Sequence, residues 1–382
     1  ATIPEALPPE YARDFQELQS NAPPMGKSFV RRRMKAELGA DWQSKFKSFE
    51  QEASAAASLG QVHKATTYDG QDIACKLQYP DMQSAIEADL NQLKMIFSIY
   101  ERYDSSIKTG NIHEELSDRL REELDYMLEA KYEKMYAYML RDEANVHVPD
   151  IIDGLSTDRL LASTWLDGDR ILNFKDADQG IRNKIAMNMF RAWYVPLYYY
   201  GTIHGDPHLG NYSVRPDHSI NLLDFGCVRV FPAKFVGAVI DLYHSLQNNN
   251  MAQSVHAFET WGFKDITKEQ VEILIEWARF LYGPILEDKV RPIGEVTNGI
   301  YGREIAESVH TKLKKLGTGV NIPREFVFMD RAALGIGSVF LHLKAEINWY
   351  QVFNEMIEGF NVDALDTRQA EMLGKFDLNG AP

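Results

Sequence analysis

The chain is most constrained by two short motifs that place acidic and amide side chains at fixed separations. Residues 204–211 read HGDPHLGN, and residues 224–226 read DFG. Asp206 and Asn211 are five residues apart, and Asp224 follows Asp206 by 18 residues. A hairpin between the motifs would return the chain to the same cleft, so the three side chains can converge there. An Asp-Phe-Gly turn alone is common at strand ends, but both motifs in this order indicate a site for phosphates and a divalent metal.

A fourth residue fits the same chemistry. Asp-x-x-x-x-Asn followed by Asp-Phe-Gly is the pattern of a kinase catalytic loop and metal-binding turn, and kinases also place a lysine on an earlier strand to contact the α- and β-phosphates. Lys76 lies in the strand-like run 71–77, after Ile73, Ala74 and Cys75, and matches that lysine. Read alone, it is also compatible with a solvated strand edge. Its carboxylate partner should lie on the following helical segment, where periodicity leaves four candidates open: Glu115, Glu122, Glu123 and Glu129.

The glycine-rich loop that usually precedes such a lysine is replaced by alanine. No G-x-G-x-x-G occurs before Lys76, and residues 55–58 read AAAS. Small side chains still let backbone N–H groups approach phosphates, but alanine lacks the access of glycine to positive φ, so the loop should be stiffer. Taken without its neighbours, an alanine run more often begins a helix.

The apolar pattern predicts an α+β chain with a small mixed lobe followed by a large helical lobe. Residues 61–68 and 71–77 read as two strands joined by the hairpin signal Asp69–Gly70. Helical periodicity dominates residues 83–141, strand-like runs follow at 146–152 and 159–166, and residues 167–169 read as a hinge. A helix over 179–200, a hairpin around Pro216–Asp217 and a largely helical remainder from Pro232 complete the prediction.

Together these segments resemble the UbiB/AarF family of atypical kinases over about residues 5–350. The resemblance is carried by the alanine run, Lys76 in its strand, the Glu-x-Asp motif at 123–125 followed by Glu129–Ala130, and the two motifs at 204–211 and 224–226. The alanine run and the Glu-x-Asp motif are more specific to this family than the kinase motifs are. The resemblance implies a bilobal protein-kinase-like fold.

The resemblance also implies a role for each motif residue. Asp206 would be the catalytic-loop carboxylate, Glu123 would be the ion-pair partner of Lys76, and Asp125 and Glu129 would belong to an addition specific to the family. The residues that bind Mg²⁺ would be Asn211 and Asp224. The residues that contact ATP would be Ala55, Ala56, Ala57, Ser58 and Lys76.

By the same resemblance, the expected function is ATP hydrolysis or an unconventional kinase activity that supports ubiquinone or related isoprenoid-lipid biosynthesis. The expected partners are a nucleotide, a lipid or quinone precursor and a biosynthetic protein complex. The expected location is the cytoplasm, with peripheral contact at the inner face of a membrane. The expected organisation is an N-terminal helical extension at 1–50, a nucleotide-binding lobe at 51–166 and a helical lobe with both motifs at 167–382.

The sequence departs from the family pattern in two places. The family carries an N-terminal Lys-x-Gly-Gln motif, which is absent here. Residues 3–11 resemble the family segment that comes directly after that motif, so we expect the motif to lie upstream. Thr164 stands in the hinge strand where an acidic residue is expected. This second departure concerns contacts with the adenine base and leaves the fold prediction intact.

Two other functions remain open from the sequence. A small-molecule phosphotransferase of the aminoglycoside- or choline-kinase type also uses a His-Gly-Asp-x-x-x-x-Asn loop, but it lacks the alanine run and the Glu-x-Asp motif. A non-catalytic scaffold in which nucleotide binding only switches conformation would need many of the same residues. Turnover with a soluble acceptor would support the first alternative, and binding without turnover would support the second.

Composition narrows the remaining possibilities. The formal net charge of −14 argues against nucleic acid as a partner, because phosphates would be repelled. The two cysteines, Cys75 and Cys227, form no disulfide framework or metal-ligand spacing, and we expect both to be small buried side chains. His204 is expected to brace the catalytic loop, since oxygen ligands suit magnesium better than imidazole does. The most apolar stretch, around residues 332–343, is too short to cross a bilayer.

Overall fold

The chain folds into an antiparallel N-terminal sheet followed by a second, smaller sheet and a mainly helical remainder. The computed structural model describes residues 25–57, 59–103, 110–206, 209–293, 299–316 and 322–379. The strands are β1 (Ser48–Phe49), β2 (Ala55–Ala57), β3 (Gly60–Thr66), β4 (Asp72–Gln78), β5 (Val146–His147), β6 (Leu160–Thr164), β7 (Asp169–Arg170), β8 (Thr202–His204), β9 (Tyr212–Val214), β10 (Ile220–Leu222), β11 (Val228–Val230), β12 (Arg291–Pro292) and β13 (Glu346–Ile347). The helices are α1 (Lys27–Leu38), α2 (Met82–Tyr103), α3 (Gly110–Glu122), α4 (Tyr126–Met139), α5 (Gln179–Tyr200), α6 (Ala233–Asn248), α7 (Met251–Thr260), α8 (Lys268–Tyr282), α9 (Gly299–Leu316), α10 (Arg324–Leu343), α11 (Trp349–Ile357) and α12 (Val362–Lys375).

The N-terminal sheet is built around the hairpin predicted from the sequence. Its five strands run in the order β1-β3-β4-β6, with β2 paired to β3, and every pairing is antiparallel. The β3–β4 turn contains Gly70 at φ 89°, a left-handed conformation that glycine adopts without strain. The predicted hairpin is therefore confirmed.

Strand alternation gives the N-terminal sheet two different faces. On β4, Ile73, Cys75 and Leu77 are fully buried, whereas Lys76 points to the opposite face because successive side chains alternate. The buried face packs against α1 in one apolar cluster that includes Val30 and Met34. The sheet therefore keeps one face apolar under α1 and leaves the other for polar chemistry.

The second sheet holds the segment between the two motifs. Its strand order is β5-β10-β9-β7, with β10 parallel to β5 and antiparallel to β9. The predicted hairpin at 212–223 is thus confirmed, while the strand-like run at 146–152 contributes the shorter strand Val146–His147. Asn221 is buried on β10, and its amide nitrogen donates to the backbone oxygen of Asp167 at 3.0 Å, which fixes the predicted hinge against this sheet.

The described residues from Pro232 onward are mainly helical, as predicted, with the two-residue strands β12 and β13 among them, and before them β8 pairs with β11 in a small antiparallel sheet. Helix α5 spans Gln179–Tyr200 and ends at Gly201, which has φ 65° and whose N–H bonds to the carbonyls of the last turn. Its apolar side chains, with those of α6 and α11, form the largest buried cluster. In the described ranges, no helix combines the length and the apolar character that a membrane crossing requires.

The close approach of β3 and β4 at Gly60 makes a first testable prediction. A Cβ atom at Gly60 would lie 2.3 Å from the backbone oxygen of Leu77 and 2.9 Å from the hydroxyl of Tyr126. Since backbone cannot move as a flexible side chain can, Gly60→Ala should lower the free energy of unfolding by about 2 kcal/mol. The measurement is urea unfolding followed by circular dichroism, with Gly154→Ala as the control because a Cβ there meets nothing within 4 Å. Equal stability of the two variants would contradict the packing described for this hairpin.

Candidate active site

The centre of the candidate site is the ammonium group of Lys76. Its Nζ donates to Oε1 of Glu129 at 2.7 Å and to Oδ2 of Asp224 at 3.0 Å. The Lys76 side chain is 15% exposed, that of Glu129 is 2% exposed, and that of Asp224 is 30% exposed. The sheet, a helix and the Asp-Phe-Gly turn therefore meet at one buried cation, with Asp224 on the more open side.

The carboxylate that contacts Lys76 corrects the expectation from the family resemblance. That role was expected for Glu123, but the structure gives the contact to Glu129, six residues later. Asp125 is the N-cap of α4, since its side chain accepts from the N–H of Leu128 at 2.9 Å. Glu129 then lies in the first turn of α4 on its buried face, whereas Glu123 lies in the turn before the helix.

Glu123 nevertheless borders the site. A Cβ atom at Gly226 would lie 3.8 Å from Cγ of Glu123, 3.7 Å from Oε2 of Glu129 and 3.3 Å from Oδ1 of Asp224. The three acidic side chains therefore lie around the glycine of the Asp-Phe-Gly turn. The structure brings Glu123 to the site predicted for it, and its functional role stays a prediction.

Two contacts set the position of α4 against β4. The amide nitrogen of Gln78 donates to the backbone oxygen of Leu124 at 2.9 Å, just before the N-cap. The ring of Tyr126 is fully buried, and its centroid lies 5.3 Å from Nζ of Lys76, within range of a cation–π attraction. Neither Gln78 nor Tyr126 was singled out from the sequence, because neither contact follows from local spacing.

Burial and the charges of their neighbours together shift the pKa values of Lys76, Asp224 and Glu129. Burial alone would lower the pKa of Lys76, but Asp224 and Glu129 beside it raise that pKa well above its ordinary value. Burial acts to raise the pKa of Asp224, yet the Lys76 ammonium and the N–H of Gly226 bring it below its ordinary value. Burial raises the pKa of Glu129 despite the contact with Lys76. A charged Lys76 and an ionised Asp224 thus stabilise each other.

The catalytic-loop residues form a second cluster that is tied to the first through the backbone. The amide nitrogen of Asn211 donates to Oδ2 of Asp206 at 2.8 Å, so the two predicted residues are in direct contact. The N–H of Leu223 donates to the backbone oxygen of Asn211 at 2.9 Å, immediately before Asp224. The β9–β10 hairpin therefore places the end of the catalytic loop beside the start of the Asp-Phe-Gly turn.

His204 braces the loop at Asp206, as predicted, and connects it to the Asp-Phe-Gly turn. It is 1% exposed, its Nε2 bonds to the backbone oxygen of Asp224, and its Nδ1 accepts from the N–H of Asp206 at 3.3 Å. Because a carbonyl can only accept, these bonds require the neutral tautomer with the proton on Nε2. The ring is surrounded by aromatic side chains, including Tyr136 and Phe225. His204 is therefore a brace between the two motifs.

The alanine run is extended, which corrects the helix start that its composition alone suggested. Ala55–Ala57 is strand β2, antiparallel to β3, with Ala55 opposite Val62 and Ala56 opposite Gln61. Ala55 and Ala56 are exposed, and Ser58 lies outside the described residues. Pairing with β3 outweighs the helix propensity of alanine, which amounts to a few tenths of a kcal/mol per residue. The run is thus one arm of a hairpin that leads to β4 and Lys76.

The cysteines match the expectation of inert buried side chains. Cys75 is fully buried and Cys227 is 3% exposed, and both are free thiols. Burial raises the pKa of Cys75 to about 12, so the reactive thiolate is not populated near neutrality. The two thiols therefore contribute packing beside the site.

The charge cluster predicts how a substitution of Lys76 should respond to pH. Lys76→Met would leave two buried carboxylates without their cation and should lower the free energy of unfolding by about 3 kcal/mol at pH 7. The deficit should shrink towards pH 5, because without Lys76 burial raises the pKa of Asp224 and the carboxylates become protonated as pH falls. Urea unfolding at the two pH values measures this change.

The control is Lys64→Met on the neighbouring strand β3. The Nζ atom of Lys64 lies 2.8 Å from Oδ2 of Asp72 in an ion pair near the surface. This variant should change stability little at either pH, because exposed ion pairs contribute little. A deficit in Lys76→Met that stays constant from pH 7 to pH 5 would contradict the protonation described for the cluster.

One protein-family description and several curated proteins match this chain. The ABC1 atypical kinase-like domain matches residues 17–258. Among curated proteins, the chain is 29% identical over 280 residues to the mitochondrial atypical kinase COQ8B of Rattus norvegicus, which covers 71% of this chain and 53% of that protein. It is 30% identical over 233 residues to the mitochondrial atypical kinase COQ8 of Saccharomyces cerevisiae, covering 61% of this chain and 46% of that protein. The chain thus spans about half the length of these relatives.

Among solved structures, the chain resembles Rv3197 from Mycobacterium tuberculosis, determined in complex with erythromycin. The TM-score is 0.66 at 23% sequence identity, covering 94% of this chain and 90% of that chain. This likeness concerns the fold, and with the family match it confirms the predicted kinase-like α+β architecture. The family expected from the alanine run and the two acidic motifs is confirmed as well, and the chain belongs to the ABC1 atypical kinases, the group that includes UbiB and COQ8.

Proposed function

We propose that this chain binds ATP with Mg²⁺ between the face of the N-terminal sheet that carries Lys76 and the two acidic motifs, and that it hydrolyses the γ-phosphate or transfers it. The observation that carries the proposal is the meeting of Lys76, Glu129 and Asp224 beside the Asp206–Asn211 pair. A kinase-like fold implies a nucleotide site, and these side chains supply the cation and the oxygen ligands that it needs.

Lys76 would contact the α- and β-phosphates, held in place by Glu129. Asp224 contacts the same ammonium at 3.0 Å, so an incoming phosphate would share or replace that contact. Glu129 keeps its partner throughout, since it is the more deeply buried of the two carboxylates. This arrangement supports Glu129 as the residue that orients Lys76 and Asp224 as the residue that exchanges its contact.

The donor set fits magnesium. Asp224 offers carboxylate oxygens on the open side of the cluster, and the amide nitrogen of Asn211 is occupied by Asp206, which leaves its amide oxygen for a cation. Oxygen ligands from carboxylates and amides are those that Mg²⁺ prefers. Asp224 and Asn211 would therefore hold the ion, which would supply charge neutralisation at the phosphates.

Asp206 would position the nucleophile, which is either water or the hydroxyl of an acceptor. Its Oδ2 accepts from Asn211, so the carboxylate is held in a defined orientation at the end of the loop. The exposed small side chains of Ala55 and Ala56 would let the phosphates approach the hairpin closely. The positions of Asp206 and of the hairpin are compatible with either hydrolysis or transfer.

The biological setting is also a proposal. Relatives named COQ8 and the family resemblance support a role in the biosynthesis of ubiquinone or a related isoprenoid lipid. The partners would be a lipid or quinone precursor and a biosynthetic protein complex, with peripheral contact at a membrane surface. The arm of the experiment below that adds lipid vesicles tests this setting.

The first experiment measures Mg²⁺-dependent ATP binding and hydrolysis in the wild type and in Asp224→Asn. The variant should lose at least about tenfold in affinity for Mg²⁺-ATP and most of its turnover, because it removes one charged metal ligand. Vesicles with anionic lipid and a quinone-precursor phenol are added in a second arm, where turnover should rise if the site serves lipid metabolism.

The control for this experiment is Asp142→Asn, which makes the same chemical change at a side chain that is 85% exposed, shortly after the end of α4. It should bind and hydrolyse ATP as the wild type does. Nucleotide binding that is unchanged in both Asp224→Asn and Lys76→Ala would refute the proposed site.

A second experiment separates binding from chemistry through Asp206→Asn. The variant should still bind Mg²⁺-ATP, because Lys76 and Asp224 are intact, but its turnover should fall by about 100-fold or more as the positioning carboxylate is lost. Wild-type binding without turnover, even with lipid present, would instead favour a nucleotide-switched scaffold. Turnover only with a soluble hydroxyl or amine acceptor would favour a small-molecule phosphotransferase.

A further inference from the structure

Two polar side chains are fully buried behind the alanine-containing hairpin. Gln61 and His63 on β3 are both 0% exposed. They lie on the face opposite Lys76, since β3 and β4 are in register with Gln61 across from Leu77 and His63 across from Cys75. Neither residue belongs to the cluster around Lys76, so their burial needs a separate explanation.

Their polar atoms form one continuous series of hydrogen bonds. Nδ1 of His63 lies 2.8 Å from the backbone oxygen of Glu50, and Nε2 of His63 lies 2.8 Å from Nε2 of Gln61. The same Gln61 nitrogen donates to the backbone oxygen of Met25 at 3.2 Å, while Oε1 of Gln61 accepts from the N–H of Met25 at 2.7 Å. The Gln61 side chain thus pairs with Met25 as a strand neighbour would.

The direction of every bond in this series is determined by its ends. The oxygen of Glu50 can only accept, so Nδ1 of His63 carries the proton and Nε2 must accept from the amide of Gln61. The second amide hydrogen of Gln61 then serves Met25. We call this series the Gln61–His63 relay, and it is satisfied only when His63 is neutral and protonated on Nδ1.

Protonation of His63 would turn its Nε2 from an acceptor into a donor, so Nε2 could no longer accept from the amide of Gln61. Nε2 would then carry a hydrogen facing the NH₂ group of Gln61, and the amide would have to rotate to present its oxygen instead. After that rotation, its oxygen would face the carbonyl of Met25 and its NH₂ group would face the N–H of Met25. Both bonds to Met25 would be lost together.

The surroundings of His63 favour the neutral ring. Burial lowers the pKa of His63 and outweighs the nearby charge of Glu50 and the backbone oxygens of Glu50 and Glu52. Phe49 stacks on the ring with centroids 5.5 Å apart, and across the strand lies the Cys75 thiol, whose raised pKa keeps it uncharged. A pKa below the ordinary value of 6.5 means that this stabilisation is complete above pH 6.5 and is lost as pH falls through the lowered pKa.

The relay joins the start of α1 to β3, which is one strand of the alanine-containing hairpin. Gln61 is the β-sheet partner of Ala56, and Met25 immediately precedes the N-cap of α1. Farther along α1, Nε of Arg33 donates to the backbone oxygen of Gln78, which pairs with Gly60, the first residue of β3 and the partner of Ala57. The segment from Met25 through Arg33 is therefore bonded to the β3–β4 pair at both of its ends.

We propose that Gln61 and His63 are positioning residues that latch the segment at Met25 onto the back of the alanine-containing hairpin, and that protonation of His63 opens this latch and loosens the hairpin. The consequence for nucleotide affinity rests on the function proposed above, whereas the opening of the latch does not. Above pH 6.5 the latch is closed and the hairpin is held in register. As pH falls through the lowered pKa of His63, the latch opens and ATP binds more weakly.

The first test follows the wild-type chain from about pH 8 downwards until the His63 ring becomes charged. The ¹⁵N shifts of the His63 ring should show the Nδ1–H tautomer at the upper end, and the amide of Met25 should be protected from hydrogen exchange after correction for the intrinsic rate. As pH falls, protection at Met25 should disappear together with the neutral ring signal. Protection that persists once His63 is charged, or the opposite tautomer at the upper end, would overturn the latch.

The second test compares Gln61→Leu with Gln71→Leu. A leucine at position 61 can neither accept from the N–H of Met25 nor donate to its carbonyl oxygen, so this variant should lack protection at Met25 at every pH and bind Mg²⁺-ATP about tenfold more weakly than the wild type at pH 8. Gln71 is exposed just before β4, and its replacement makes the same chemical change on the neighbouring turn without touching the relay. Equal ATP affinities of the two variants would overturn the link between the latch and the nucleotide hairpin.

These measurements keep the two proposals apart. If the wild type binds no ATP at any pH, the proposed nucleotide function fails, and the exchange and tautomer data still support or overturn the latch. If ATP binds but Met25 is unprotected at the upper end of the pH range, the latch fails and the nucleotide site stands. The expected result is pH-dependent protection in the wild type and Gln71→Leu, and its loss in Gln61→Leu.

Discussion

A lysine ammonium buried between a sheet and a helix is the constraint on which the arrangement of the site depends. Burying such a charge without partners would cost several kcal/mol, so the chain must bring carboxylates to it. Glu129 does so from α4 and Asp224 from the turn after β10, at 2.7 Å and 3.0 Å. Three segments far apart in sequence are therefore held at one point, and the most open of the three side chains, Asp224, is the one available to a ligand.

The N-terminal sheet holds Lys76 in position because its two faces make different contacts. The face with Lys76 meets α4 and the acidic motifs, while the reverse face packs under α1 with Ile73 and Leu77 in its core. Gln61 and His63 are the polar exceptions on that reverse face, and their hydrogen bonds reach Met25 and Glu50. The hairpin of β2 and β3 is thus supported from behind by the same segment that covers the sheet.

The two acidic motifs behave as one structural unit rather than as separate loops. His204 bonds to the backbone on both sides, to Asp224 and to Asp206, and Asn211 is bonded to Asp206 through its side chain and to Leu223 through its backbone. A displacement of either motif would strain the other. This coupling explains how Asp224 and Asp206, the groups proposed to bind the metal and to position the nucleophile, can come from different turns and still lie at one place.

Local patterns in the sequence determined the β3–β4 hairpin, helix α5 and the convergence of Asp206 and Asn211, because each depends on residues close together along the chain. The tertiary structure decided the rest. Glu129 rather than Glu123 contacts Lys76 because the N-cap at Asp125 and the bond from Gln78 to Leu124 set how α4 lies against β4. The alanine run is a strand because β3 lies beside it. Such outcomes depend on which segments become neighbours in space, and no periodicity within a single segment carries that information.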